Sequence, residues 1–186
     1  MTKSEKLSYL MNKNLACNHC ELRSGCRGVV FGEGNPDSPV LFVGEGPGQT
    51  EDDMGRPFVG RAGELLNQML TEVGFRRENV YITNIVKCRP PGNRTPSPDE
   101  MERCLPWLRK QYAILKPRIM VLMGLAATCG ILDKDMKMNR CRGRWFRRGD
   151  IQILPIYHPA AVLRNSDWRE ICVADLRLVK QVCDDS

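Results

Sequence analysis

"VLFVGEGPGQTEDDMGRPFVGRAGELLNQMLTEVGF", residues 40–75, decides how the fold is read. Its first five residues, Val40 to Gly44, are an apolar run bounded by turn residues, the pattern of a short strand buried on both faces. After Gly60, Leu65, Leu66, Met69, Leu70 and Val73 recur at helical spacing, and Gly74 ends the helix. Between strand and helix lies a loop rich in glycine and acid. The question is whether that loop cradles phosphate.

It does not have the residues for it. A dinucleotide loop needs G-x-G-x-x-G followed at once by an apolar helix. Gly44 and Gly46 fit, but Gln49 stands where the third glycine belongs. Pro47 removes a backbone donor, and Glu51, Asp52 and Asp53 would repel an anion. No helical periodicity is visible before Gly60, and the Gly-Lys-Ser/Thr of a Walker loop is missing. What is left is a bare backbone that presents N–H groups, then carboxylates, then Phe58.

Working outward, the same strand-then-helix alternation continues. Ser4 to Asn14 reads as a short helix, and "GVVFGEGNPDSP" as an extended stretch ending in a turn. "NVYITNIV" (79–86) and "RIMVLMG" (118–124) are further strands, the second followed by a short helix in "LAATCGIL". The proline-rich "KCRPPGNRTPSPDE" leads into a helix marked by a capping box, Ser97 with Glu100, and by Pro98 at its first position. "GRWFRRGDIQILPIYHP" reads as a hairpin turning near Gly149–Asp150, its second arm ending at His158. Asp167 to Cys183 closes the chain as an amphipathic helix. The expected fold is one three-layer α/β/α domain over 1–186 with a mostly parallel central sheet, to which an N-terminal cysteine loop contributes a metal site. In such sheets the ligand sits beyond the carboxyl ends of the strands, which selects the segments after Val43, after Thr83 and around His158.

Composition narrows the class. The chain has 186 residues, 42% hydrophobic and 27% charged, enough for a real core and too apolar for disorder. No apolar run reaches the ~20 residues a bilayer requires, and the first twenty residues lack a signal peptide's apolar stretch. The expectation is a soluble, cytoplasmic monomer. A net charge of +6 permits an acidic partner without proving one. Nine cysteines without an export signal argue for metal, cluster or thiol chemistry over a disulfide framework.

Cys17 and Cys20 form C-x-x-C, and Cys88 and Cys104 lie far along the chain. Four such thiolates suit a [4Fe–4S] cluster or a structural zinc. Zinc usually takes two close pairs, so one close pair with two scattered cysteines leans toward a cluster. Cys26, in the compact "CNHCELRSGC", is a rival fourth ligand. Cys129, Cys141, Cys172 and Cys183 read as buried or incidental thiols. Only two histidines are present, so His-rich metal catalysis, H-E-x-x-H and the zinc deaminase signature are all excluded. His19 lies inside the C-x-x-C, while His158 ends a strand before Pro159, a placement that favours function. "KMNRCRGRWFRR" interleaves Arg144, Arg147 and other cations with Trp145 and Phe146. It is either a solvated hairpin with its rings turned inward or a nucleic-acid contact, and its lead into His158 favours the latter.

Together "GEGPGQTEDDMGRPFVGRAGELL", "NIVKCRPPGNRTPSPDE" and "YHPAAVLR", with the four cysteines in matching places, resemble the family 4, iron–sulfur, uracil-DNA glycosylases. The resemblance runs from about Cys17 to Arg164. It implies a uracil-DNA glycosylase-like fold and hydrolysis of the uracil–deoxyribose bond in single- and double-stranded DNA, leaving an abasic site for repair. It implies a [4Fe–4S] cluster on Cys17, Cys20, Cys88 and Cys104. It places Gly44, Glu45 and Gly46 on the uracil O2 side, Phe58 on the face of the flipped base, Asn84 at its edge and His158 at the leaving uracil. Glu51 would place or activate water. Other families of the superfamily have Asp and Tyr in the first motif where Gly46 and Gly48 stand here, so water activation lies between Glu51 and Glu45. A related branch traps DNA covalently through a histidine after the second motif. "PPGNRTPSP" has none, so turnover is expected. Val162, Leu163 and Arg164 are the expected wedge and phosphate contacts, with Arg56 and Arg61 opposite. The rival reading is a non-catalytic nucleic-acid-binding or redox-sensing module. It would keep the cysteines and the basic hairpin but would not need Asn84 or His158.

Overall fold

The structure is a computed structural model that describes residues 1–185. Six strands form one sheet: β1 (Glu33–Gly34), β2 (Val40–Gly44), β3 (Tyr81–Asn84), β4 (Ile119–Met123), β5 (Phe146–Arg148) and β6 (Ile151–Ile156). Their order across the sheet is β1-β3-β2-β4-β6-β5. The four central strands are parallel, and β1 and β5 close the two edges antiparallel. The hairpin read from Gly149–Asp150 is the β5–β6 pair, with Gly149 in the left-handed region that its turn requires.

The helices are α1 (Lys3–Leu15), α2 (Gln49–Met54), α3 (Arg61–Glu72), α4 (Pro98–Leu115), α5 (Leu125–Ile131), α6 (Met138–Cys141), α7 (Pro159–Arg164) and α8 (Trp168–Asp184). Strand alternation explains the layers. In β2, Leu41 and Val43 point into a core shared with Leu7 and Leu10 of α1 and Trp107 and Leu108 of α4. Val40 and Phe42 point the other way, against Leu66, Met69 and Leu70 of α3 and Val173, Leu176 and Val179 of α8. Both faces are covered, so the strand reads apolar throughout instead of alternating. Each of these fully buried Leu, Val or Phe side chains contributes roughly 1.5–3 kcal/mol. The capping box of α4 is present: Glu100 N–H donates to Ser97 Oγ at 3.2 Å and Ser97 N–H to the Glu100 carboxylate at 2.8 Å.

Two expectations need correction. The strand expected over 79–86 pairs only from Tyr81 to Asn84; beyond it, Ile85 and Val86 N–H still reach Gly44 and Glu45 O as the chain turns away. The acidic stretch after Gly48 is not loop but helix α2. Two of its acids, Glu51 and Asp52, anchor backbone, while exposed Asp53 pairs with the Gln49 and Arg27 side chains. Glu51 accepts from Gly48 N–H at 3.2 Å, and buried Asp52 accepts from Arg27 N–H at 2.9 Å and Gly28 N–H at 3.4 Å. A six-residue polar helix is too short to show an apolar period, which is why the pattern does not announce it.

The chain runs from β2 to β3 on one side and then places β4 on the other side of β2. That reversal opens a crevice beyond Gly44, Asn84 and Met123, where a ligand site is expected in an open α/β sheet.

Candidate active site

A cleft of about 600 Å³ fills this crevice. Glu45, Gly46, Pro47 and Gly48 line it from the loop after β2, Glu51 from α2, Phe58 from the loop before α3, and Asn84 from the end of β3. His158 and Arg164 close it from the segment after β6. Three stretches far apart in sequence, residues 45–58, Asn84 and 158–164, are therefore brought to one place. Leu163 is exposed on the same short helix as Arg164, but Arg56, Arg61, Arg144 and Arg147 do not line the cleft. Arg56 is held in a two-pronged pair with Glu33, at 2.8 and 3.1 Å.

Gly44 stands just behind the lining. A Cβ there would lie 2.5 Å from Asn84 Oδ1 and 2.6 Å from the Phe58 ring, so glycine lets these two side chains close in behind the cleft. Phe58 has φ of 50°, a left-handed conformation that costs a bulky residue roughly 1–3 kcal/mol. Arg77 holds it there. Its guanidinium donates to Phe58 O at 2.7 Å, to Pro57 O, to Asn67 Oδ1 at 2.9 Å and to Glu33 at 2.9 Å. The sequence gives no sign of this clamp, because Arg77 lies in an ordinary polar turn nineteen positions from Phe58.

Asn84 is 1% exposed, and its Oδ1 has no hydrogen-bond partner. A buried acceptor left unpaired costs about 1–3 kcal/mol, so such an atom calls for an explanation. Asn84 lines the cleft. Among the described residues Asn14 Oδ1, in α1, is also unpaired, and nothing in the structure explains it.

His158 caps α7. Its Nδ1 accepts from Ala160 N–H at 3.0 Å. An imidazole that accepts at Nδ1 carries its proton on Nε2, so the free nitrogen is a donor. Burial pushes this imidazole down to about 4, with Arg164 adding to the effect and Glu51 opposing it. The neutral donor form is thus the one present near neutrality. Its ring lies 5.5 Å from that of Phe58.

The two carboxylates differ. Glu51 Oε1 accepts from Val59 N–H at 3.0 Å and Gly60 N–H at 2.9 Å, while Oε2 holds Gly48 N–H. Glu51 therefore ties the start of α2 to the start of α3. Glu45 shows no such anchoring. Burial pushes its carboxyl above the usual range, with Arg164 pulling back.

On the α1–α4 side of the sheet, Cys88 and Cys104 are buried, and Cys17, Cys20 and Cys26 pack against the same core. Burial pushes the Cys88 and Cys104 thiols up, Cys104 to about 11, and neighbouring cysteines add to it in both. Four such thiolates cannot share a site without a cation, and a bound metal reverses this balance. Among the described residues no three Cys, His, Asp or Glu side chains already stand as a metal-holding set. The donor chemistry nevertheless fits sulfur ligation. Cys17 Sγ accepts from Trp107 Nε1–H at 3.2 Å and Cys104 Sγ from Lys87 N–H at 3.3 Å, as ligand sulfurs do. Cys26 Sγ donates to Gly28 O at 3.3 Å, accepts from an Arg23 guanidinium N–H at 4.0 Å, and stands beside Cys88, whose thiol it helps push up.

These features define an α/β/α protein with a ligand cleft at the switch point of its sheet. A family model described as the Uracil DNA glycosylase superfamily matches residues 31–177. The chain is 42% identical to a type-4 uracil-DNA glycosylase of Thermotoga maritima, over 96% of this chain and 95% of that protein. It is 40% identical to the type-4 enzyme of Sulfurisphaera tokodaii, covering 96% and 85%, and 39% identical to that of Archaeoglobus fulgidus, covering 96% and 94%. The chain belongs to the uracil DNA glycosylase superfamily, within its type-4 group.

Proposed function

We propose that this protein is a monofunctional uracil-DNA glycosylase, hydrolysing the bond between uracil N1 and deoxyribose C1′ in single- and double-stranded DNA. The observation that carries this reading is the unpaired Asn84 Oδ1 at a cleft that His158, with its Nε2–H, and Phe58 also line. A base must leave the duplex stack to be cut there. Asn84 accepts from uracil N3–H through Oδ1 and donates to O4 through its amide nitrogen. Cytosine reverses both groups, leaving buried atoms unpaired, a mismatch worth on the order of 10⁴-fold in discrimination.

As the glycosidic bond breaks, its electron pair stays on the uracil, with negative charge at O2. His158 Nε2–H and the N–H groups of the Gly44–Gly46 loop stabilise that charge more than they stabilise the intact base. The sugar becomes cationic at C1′, where water adds. Glu45, free of backbone partners, takes the water's proton. Glu51 holds the starts of α2 and α3 in register and contributes its charge through space, as its effect on His158 supports. Leu163 and Arg164 meet the DNA beside the cleft. Arg61, Arg144 and Arg147 act as more distant phosphate contacts, and Arg56 does so only on leaving Glu33.

Cys17, Cys20, Cys88 and Cys104 hold a [4Fe–4S] cluster in this reading, with Cys26 outside the set. When bound, the cluster ties the N-terminal loop to α4 and to the loop after β3. The enzyme works as a soluble, cytoplasmic monomer of one domain and turns over without covalent capture of DNA. The test is incubation with end-labelled single- and double-stranded uracil oligonucleotides, followed by alkali. Cleavage at the uracil position in both is expected. No alkali-sensitive site with cluster-loaded protein would overturn the reading, and a denaturation-resistant adduct would overturn the turnover part of it.

A further inference from the structure

The geometry points to Lys87 as a positioning residue that sets Asn84 for reading the base, an inference that rests on the Asn84 role proposed above. Lys87 is 1% exposed, among the most buried large side chains in the molecule. Its Nζ donates to Asn84 O at 2.8 Å, Thr83 Oγ1 at 2.6 Å and Gln111 Oε1 at 2.6 Å. Thr83 Oγ1 spends its own hydrogen on Phe31 O at 2.8 Å, so it can only accept from Lys87. Asn84 O and Gln111 Oε1 are also pure acceptors. Three acceptors match the three hydrogens of an ammonium and leave none over.

Gln111 is fixed in turn by donating from Nε2 to Phe31 O at 2.8 Å. The anchor is therefore rigid from behind. It is also fixed from the cysteine side, since Lys87 N–H donates to Cys104 Sγ and Cys88 is the next residue. Asn84 is the last residue of β3, and the peptide that follows it is held at one end by Ile85 N–H donating to Gly44 O at 2.9 Å. The ammonium holds the other end, at the Asn84 carbonyl. With its carbonyl pinned, the peptide plane of Asn84 is set, and with it the direction in which Oδ1 enters the cleft. Small errors in that direction matter, because a hydrogen bond weakens steeply once its angle is lost.

The test is a double-mutant cycle of Lys87→Met and Asn84→Ala. It is read both as kcat/KM on a uracil oligonucleotide and as the dissociation constant for an oligonucleotide carrying a non-cleavable uracil analogue. K87M is expected to cost roughly 10-fold or more in both measures in the wild-type background, and under about 2-fold once Asn84 is alanine. A residue that merely supports the fold would cost the same factor in both backgrounds, and that result would overturn the proposal. So would no loss in the wild-type background. If K87M does not fold, Lys87→Gln, which keeps a donor, is run through the same cycle with the same expected and refuting outcomes. Full activity of N84A with Lys87 intact would instead refute the Asn84 reading itself, so the two failures are told apart.

Discussion

The base cleft and the cysteine region lie at opposite ends of the Asn84–Cys88 segment, and they are built differently. In the cleft the protein alone fixes almost every group. Glu51 holds three N–H groups, Arg77 holds Phe58, and Ala160 N–H sets the His158 tautomer. One acceptor is left open, Asn84 Oδ1. Among the cysteines, the Cys17, Cys26 and Cys104 sulfurs already receive N–H donors, but the Cys20, Cys88 and Cys104 thiols are pushed toward their neutral form by burial and by neighbouring cysteines. The first region is complete and awaits a substrate. The second gains its stability when a cation joins it.

The largest break in that comparison comes from Asn84→Ala. It should lower kcat/KM on uracil DNA by about 10⁴-fold. Thermal melting should show no loss of stability, since the change removes an unpaired buried acceptor from the free protein. Melting that fell in step with activity would mean Asn84 is a structural residue.

Next come the two carboxylates. Glu45→Gln should cost roughly 10²- to 10⁴-fold in kcat with little change in melting. Glu51→Gln loses one charged acceptor for three backbone donors, and should destabilise the protein by about 1–3 kcal/mol while costing less in kcat. Single-turnover rates and melting curves on the two variants separate these roles, and reversed results would exchange them. The acid limb of the kcat profile should also lie above the ordinary glutamate range, because burial raises the Glu45 carboxyl.

The cysteine side is sharpened by Cys104→Ser and Cys26→Ser. The first should abolish the visible absorbance of a bound cluster and lower Tm, at about 2–4 °C for each kcal/mol lost. The second should leave both nearly unchanged. Loss of absorbance in the Cys26 variant would move it into the ligand set.

The smallest effect is on pH. His158 is pushed down to about 4 from an ordinary 6.5, so the unfolded chain binds the extra proton first. This group's contribution to stability is fully present above pH 6.5 and is lost as pH falls toward 4. Denaturant melts at pH 7, 5.5 and 4.5 on the wild type and His158→Gln measure it. The wild type should lose more stability than the variant across that window.

Much of the site was legible because its signals are local. The apolar run of β2, the turn after it, and a histidine before proline each follow from short-range stereochemistry, and the strand–helix alternation placed them at one end of a sheet. The missed parts are tertiary. Lys87 reads as an ordinary charged residue, and only the packed core shows three acceptors arranged around its ammonium. Helix α2 has too few residues for a period to show. Arg77 and Phe58 meet only because β3 brings the preceding turn back beside the loop before α3.

The sequence by itself determined the layered α/β class, since strand and helix patterns depend on residue type and spacing. Only the tertiary structure decided which carboxylate is committed to backbone, which histidine nitrogen carries the proton, and that the Asn84 carbonyl is held by a buried lysine. Each of those depends on which donors and acceptors meet when distant segments are folded out of water. No order of letters along the chain specifies that meeting in advance.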